Sequence, residues 1–168
     1  MSYSIRYPLS KKDKKDLLKR LQEVLPTYCD IVEKAKTIEK AKLKTGVDII
    51  LVDGLPMFYF KNDEILPTLA LFYKYGKKGI PEVVVDKGAI PHILNGADVM
   101  RPGIVKIIGE FKEGDLVLVT EETKGYPLAL GIALYDSNEI KSMQRGKVIK
   151  NIHHLHDKLW KQLFKTSS

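Results

Sequence analysis

Apolar residues along this chain recur at two spacings, and each change from one to the other marks an element. Tyr3 to Tyr7 is short and mixed and predicts a strand. Ser10-Lys11-Lys12-Asp13 then sets a hydroxyl N-cap ahead of an acid at the third helical position, a variant of the capping box. Leu17, Leu18, Leu21, Val24 and Leu25 follow at i, i+1, i+4, i+7 and i+8, one stripe of a helix that Pro26 stops. Residues 30–36 predict a short helix. From Thr37 to Lys44 the period falls to two. Ile38, Lys40, Lys42 and Lys44 share one face of a strand, and Glu39, Ala41 and Leu43 the other. Val47 to Val52 and Met57 to Phe60 read as strands joined by a hairpin-type turn at Asp53-Gly54. Asp63 is expected to cap a helix over Glu64 to Tyr75. Its inner face would hold Ile65, Leu66, Leu69, Phe72 and Tyr73, with Pro67 in the first turn and Gly76 as C-cap.

The second half is richer in β-branched residues and in glycine turns. Val83-Val84-Val85 predicts a buried strand that Asp86-Lys87-Gly88 ends. Ala89 to Leu94 forms a short helix limited by Pro91, and Asn95-Gly96 stops it. Val99-Met100 is extended, and Arg101-Pro102-Gly103 is a turn with Gly103 expected at positive φ. Further strands are expected at Ile104–Ile108, Leu116–Thr120, Leu128–Leu134 and Gly146–Lys150. Turns at Lys112–Asp115, Glu121–Gly125 and Asp136-Ser137-Asn138 separate them. Short strands at this spacing, punctuated by glycine, predict a small closed or nearly closed barrel. Ile152, Leu155, Leu159, Trp160 and Leu163 describe a final amphipathic helix. The expected class is α+β: an α+β unit at residues 1–78, then a β-barrel with a C-terminal helix at 79–168, joined at Lys77-Lys78-Gly79.

Composition narrows the setting. With 44% hydrophobic residues the chain has enough apolar surface for packed cores. It holds no apolar run near the ~18 residues a membrane-spanning helix needs. Met1 to Pro8 carries no apolar signal core, so a cytoplasmic protein without a membrane partner is expected. The single Cys29 excludes an internal disulfide and a Cys-based zinc site, and reads as a small buried apolar residue. The net charge of +7 is uneven: residues 1–78 hold 16 Lys and Arg against 10 Asp and Glu, and the rest hold 12 against 11. A basic surface selects a polyanion, for which nucleic acid is the commonest cytoplasmic candidate, or else it is solvated lysine that keeps the protein soluble. Lys11, Lys12, Lys14, Lys15, Lys19 and Arg20 face away from the stripe of the first helix or crowd its start, where positive charge opposes the macrodipole. Lys40, Lys42 and Lys44 either guard a sheet edge or meet phosphate.

The chemistry is that of binding. The chain has no phosphate loop of the G-x-x-x-x-G-K-[ST] kind and no strand-linked G-x-G-x-x-G, so no catalytic residue and no cofactor is expected. His153, His156 and Asp157 fall at i, i+3 and i+4 of the expected last helix but lack a fourth ligand, so no metal site is expected. His92 stands alone in the glycine-rich stretch, either to stack on a base or donate to phosphate, or else as a partly buried polar residue of the short helix. Gly88, Gly96 and Gly103 let backbone N–H groups approach a ligand, with Lys87 and Arg101 beside them, although the same glycines also serve turns. Arg145 and Lys147, beside Gly146, are placed to extend such a surface.

The order V-V-D-K-G-A, then L-N-G-A-D-V-M-R-P-G-I, between Val84 and Ile104, resembles the opening of a PUA domain. Phe111-Lys112-Glu113-Gly114-Asp115-Leu116-Val117 and Ala129-Leu130-Gly131-Ile132-Ala133 continue the likeness, which covers residues 81–151. The first half is similar to the pre-PUA domain of archaeal relatives of the T-cell-lymphoma oncogene product that promotes translation. The resemblance implies a PUA-type small β-barrel and a non-enzymatic RNA-binding protein acting in translation. Its RNA would be the tRNA acceptor end or rRNA of the small ribosomal subunit, with an initiation-factor-like protein as a further partner. The RNA-facing residues it implies are Lys87, Gly88, Ala89, His92, Leu94, Asn95, Gly96, Ala97, Met100, Arg101 and Pro102, with Lys87 and Arg101 foremost. No stacking aromatic stands near the end of the barrel, which favours contacts to backbone and duplex shape. The alternative is an accessory subunit that delivers tRNA or rRNA to a modification enzyme. A third reading, a protein adaptor, would need an exposed apolar patch around Met57, Phe58, Tyr59 and Phe60.

Overall fold

The computed structural model describes residues 3–164. Their contacts divide the chain into two units, one running to Gly79 and taking in the end of the last helix from Gln162, the other Ile80–Lys161. In the first unit, β1 (Tyr3–Pro8) leads into α1 (Lys11–Val24), and a single 3₁₀ turn precedes α2 (Cys29–Lys34). Then come β2 (Ile38–Leu43), β3 (Asp48–Val52), β4 (Leu55–Lys61), β5 (Glu64–Pro67) and α3 (Leu69–Tyr75). The strands form one antiparallel sheet in the order β1-β2-β3-β4-β5. Ser10 Oγ accepts the Asp13 N–H at 3.1 Å, so the cap works as its spacing asks, and Leu17 and Leu21 are buried. The Tyr28 hydroxyl donates to Gly76 O at 2.8 Å, and burial pushes that phenol up to about 12.

Three expectations for this unit give way. β2 is an interior strand, flanked by β1 and β3, so its lysines guard no edge. Lys42 Nζ instead pairs with Asp48 Oδ1 at 2.8 Å, and Lys40 Nζ lies 5.5 Å from the centroid of the Phe60 ring. Second, Glu64 to Pro67 is a strand. Asn62 and Asp63 take φ of 52° and 64°, which makes them the centre of a hairpin turn, as Asp53 and Gly54 are at 48° and 82°. The chain therefore reverses where a helix was expected to begin, and α3 starts only after Thr68. Third, Met57, Phe58 and Tyr59 are buried in the core, so the apolar patch an adaptor would need is not there.

The second unit runs through β6 (Glu82–Val85), α4 (Ile90–Ile93), β7 (Val99–Met100), β8 (Ile104–Ile108) and β9 (Leu116–Glu121). β10 (Pro127–Ala133), α5 (Ser137–Ser142), β11 (Lys147–His154) and the start of α6 (Lys158–Leu163) follow. Its six strands lie in the order β7-β11-β10-β9-β6-β8. β7 and β8 are thus the two ends of the sheet, yet only Arg101–Gly103 lie between them in the chain. Such a link spans at most ~14 Å, so the sheet must curl until its edges approach. Arg101 N–H to Gly146 O at 2.8 Å and Asp86 N–H to Gly103 O at 2.9 Å tie the join to β11 and to β6. This is the small barrel expected, with Val83, Val85, Val99, Phe111, Val117, Val119 and Ile149 in its core. Gly131 marks a bulge between β10 and β11, where a Cβ would meet Ile149 Cγ2 and stand 3.1 Å from Lys150 O.

Glu121 closes the β9–β10 connection. Burial works to raise its carboxyl, but the N–H groups of Lys124, Tyr126 and Thr123 outweigh it and hold it at about 2. Asp136 is not the head of a bare turn: it stands at the N-cap position of α5, and its Oδ1 accepts the Glu113 N–H at 2.8 Å. The long final helix is also absent. β11 continues through His154, His156 takes φ of 64°, and only Lys158–Leu163 are helical. His153 is consequently a buried strand residue whose Nδ1 lies 2.8 Å from Asp157 Oδ2, and the shared helix face of His153, His156 and Asp157 does not exist. Burial would raise Asp157, while His153 and the N–H groups of Trp160 and His154 bring it below the usual range. Among the described residues no group of His, Cys, Asp and Glu is placed to hold a metal ion, and no helix is long and apolar enough to cross a membrane.

Candidate nucleic-acid interface

β6 delivers the chain to Asp86, whose Oδ1 accepts the Ala89 N–H at 3.0 Å and so starts the turn into α4. Pro91 falls at the beginning of α4, where a missing N–H costs no helical bond. The helix ends at once: His92 O accepts the N–H groups of Asn95 and Ala97, and Gly96 reverses the chain at φ 96°. Asn151 on β11 then fastens the segment. Its Nδ2 donates to Ile93 O and Ala97 O, each at 3.0 Å, and its backbone N–H donates to Asp98 Oδ1 at 2.9 Å. β7 pairs with β11 through Lys147–Met100 and Ile149–Val99.

Between these elements lies an open cleft of about 820 Å³. Of the residues expected to face RNA, it brings together Gly88, Ala89, His92, Gly96, Ala97, Met100, Pro102 and Lys147. Met100 is 46% exposed, a large apolar side chain held at the surface. Lys87, Asn95 and Arg145 are exposed but do not line the cleft, and Leu94 packs against the barrel core. Arg101 is turned inward: Nε donates to Ile140 O at 2.7 Å and Nη1 to Ile104 O at 3.4 Å, so its guanidinium braces the join between the sheet edges. Gly103 is not at positive φ. A Cβ there would stand 3.2 Å from the Ala89 Cβ, tighter than ordinary packing, so a side chain at this place needs Ala89 to give way.

The cleft also holds Gly103, one of the three glycines expected to bare backbone to a ligand, and four residues outside the expectations: Asp86, Ile93, Asp98 and Val99. Ile93 and Val99 are buried and form its apolar base. Among the lining residues the carboxylates of Asp86 and Asp98 stand against one ammonium, that of Lys147. Each directs one oxygen at a backbone N–H, and Asp98 Oδ2 lies 3.7 Å from Lys147 Nζ. An Asp beside a glycine-rich turn is a legible backbone acceptor, so Asp86 and Asp98 had a signal. Ile93 and Val99 carry none that separates a cleft base from ordinary core.

A small curled barrel, with a glycine-rich strand–helix–strand segment stitched to its last strand and an α+β unit before it, is the architecture of a PUA-domain protein. Residues 81–155 match the PUA domain, and residues 5–75 match a domain of unknown function, DUF1947. An uncharacterized protein of Methanocaldococcus jannaschii is 42% identical over 158 residues, 92% of this chain and 94% of that protein. Translation machinery-associated protein 20 of Saccharomyces cerevisiae is 33% identical over 153 residues, 88% of this chain and 84% of that protein. Malignant T-cell-amplified sequence 2 of Homo sapiens is 30% identical over 151 residues, with 88% and 83% covered. A solved PUA-domain structure from Aeropyrum pernix superposes with a TM-score of 0.83 at 33% identity, covering 93% of this chain and 89% of that one. The chain belongs to the PUA-domain family in which DUF1947 precedes the PUA domain, together with translation machinery-associated protein 20 and the malignant T-cell-amplified sequences.

Proposed function

We propose that this chain is a non-enzymatic, cytoplasmic RNA-binding protein of the translation apparatus. Its cleft beside α4 receives either the acceptor end of tRNA or rRNA of the small ribosomal subunit, and an initiation-factor-like protein is its further partner. The observation that carries the reading is the cleft itself, left open by the protein's own side chains and walled by backbone that glycine keeps bare. Met100 and Pro102 offer apolar surface to a base or ribose, and Lys147, with Lys87 and Arg145 beyond the rim, offers charge to phosphate. The relatives named for association with the translation machinery support the same reading. The test is a fluorescence-anisotropy titration of the full chain with tRNA, with tRNA lacking its unpaired 3′ end, and with fragments of small-subunit rRNA. Binding should be salt-dependent, and Met100→Asp, which sets a carboxylate in the path of the RNA, should weaken it by at least about tenfold, without lowering the melting temperature. No binding at low salt, or an unchanged affinity for Met100→Asp, would overturn the proposal.

A further inference from the structure

The cleft lies in the second unit, but the charge lies in the first, where residues 1–78 hold 16 Lys and Arg against 10 Asp and Glu. Along α1, Lys11, Lys15 and Lys19 recur at i, i+4 and i+8, with Lys12 beside them, on the flank away from buried Leu17 and Leu21. All four are exposed, and among the described residues none has an acidic partner. Asp16 borders the stripe, four positions from Lys12 and three from Lys19, and with Asp13, Arg20 and Phe60 it lines a separate hollow. At the edge of the stripe, Lys14 and Lys36 share a groove of about 410 Å³. Its one acid, Glu39, is already held by Arg6 at 2.9 Å.

This arrangement costs the helix. Like charges at i, i+4 repel, and cations in the first turn oppose the macrodipole. The backbone N–H of Asp13 is satisfied by Ser10, so the helix end itself is not what is on offer. What the stripe offers is ammonium groups on flexible stems, which suit phosphate as point charges and read no bases. We infer that Lys11, Lys12, Lys15 and Lys19, with Lys14 and Lys36 at their edge, form a second RNA-contacting surface that grips the phosphodiester backbone irrespective of sequence. The inference rests on the RNA-binding reading above.

The experiment replaces Lys11, Lys12, Lys15 and Lys19 with Gln in the full chain. The control replaces Lys44, Lys61, Lys74 and Lys78, exposed lysines of the same unit, and removes the same charge. Lys44 and Lys61 stand at the opposite end of the sheet from the start of α1. Two RNA duplexes of unrelated sequence are titrated against salt. The α1 set should flatten the log–log salt slope by about 0.7–0.9 for each phosphate it ceases to neutralise, equally for both duplexes. The control set should change it by less than a single phosphate would. Removing the repulsion should leave the melting temperature unchanged or higher, and a Lys15, Lys19 double variant gives half the effect should the larger set misfold. Equal flattening in both sets would reduce the surface to net charge and overturn the inference. So would an unchanged RNA slope accompanied by loss of binding to phosphatidylserine vesicles, which would make the surface a membrane contact. A wild-type chain that binds no RNA would fail the functional reading as well, whereas wild-type binding with an unchanged slope in the α1 set fails this inference alone.

Discussion

Asp98 Oδ1 accepts the backbone N–H of Asn151 at 2.9 Å, and the Asn151 side chain returns the contact through Ala97 O and Ile93 O. These bonds join two stretches about fifty residues apart and hold the glycine-rich wall of the cleft to the last barrel strand. Asn151→Ala would strand two carbonyls and free that wall. The expected loss is about 1–3 kcal/mol of stability, read by urea denaturation, together with weaker RNA binding. A variant with wild-type stability would show that the segment stands without this fastening.

Arg101 carries a cation at the heart of the motif, yet its Nε and Nη1 are turned to Ile140 O and Ile104 O. Arg101→Ala should therefore act on folding, costing about 1–3 kcal/mol for bonds from a charged donor. The salt slope of RNA binding should differ from wild type by less than a single phosphate would change it. A flattened slope at unchanged stability would mean that the guanidinium leaves its carbonyls to meet phosphate.

Gly96 and Gly103 are glycine for different reasons, and substitution separates them. Gly96 holds φ 96° with ordinary space around a would-be Cβ, so Gly96→Ala incurs backbone strain of about 1–2 kcal/mol. Gly103 has ordinary φ and a tight contact with Ala89, so Gly103→Ala should be milder than Gly103→Val, which overpacks the cleft at about 1–3 kcal/mol. Paired thermal melts decide the order.

Glu121 makes stability depend on acid. Its folded-state carboxyl sits near 2 against 4.5 when unperturbed, so the folded state binds its proton less readily than the unfolded chain. Its contribution is complete above about pH 4.5 and is lost as the pH falls toward 2. Glu39 and Asp157, also lowered, add to the decline in the acid range. Denaturation measured from pH 7 to pH 2 should show a shallower fall for Glu121→Gln than for wild type, and parallel curves would exclude the Glu121 loop as a source.

The features legible before folding are local ones. α1 was legible because a hydroxyl cap and a 3.6-residue stripe act within a few positions of one another. The Gly96 stop and the barrel strands were legible for the same reason, as was the family likeness carried by residues 84–104. Tertiary structure decided what depends on partners distant in the chain. Ile65 and Leu66 satisfy a helix or a strand equally, and pairing of Glu64–Pro67 with β4 chose the strand. Lys40 and Lys42 could not announce that β1 would cover their strand. Nothing near Arg101 foretold that a carbonyl 39 residues away would accept its Nε–H. Periods and caps are interactions along the chain, whereas sheet order and the partner of a long side chain are settled only when remote segments compete for the same surface.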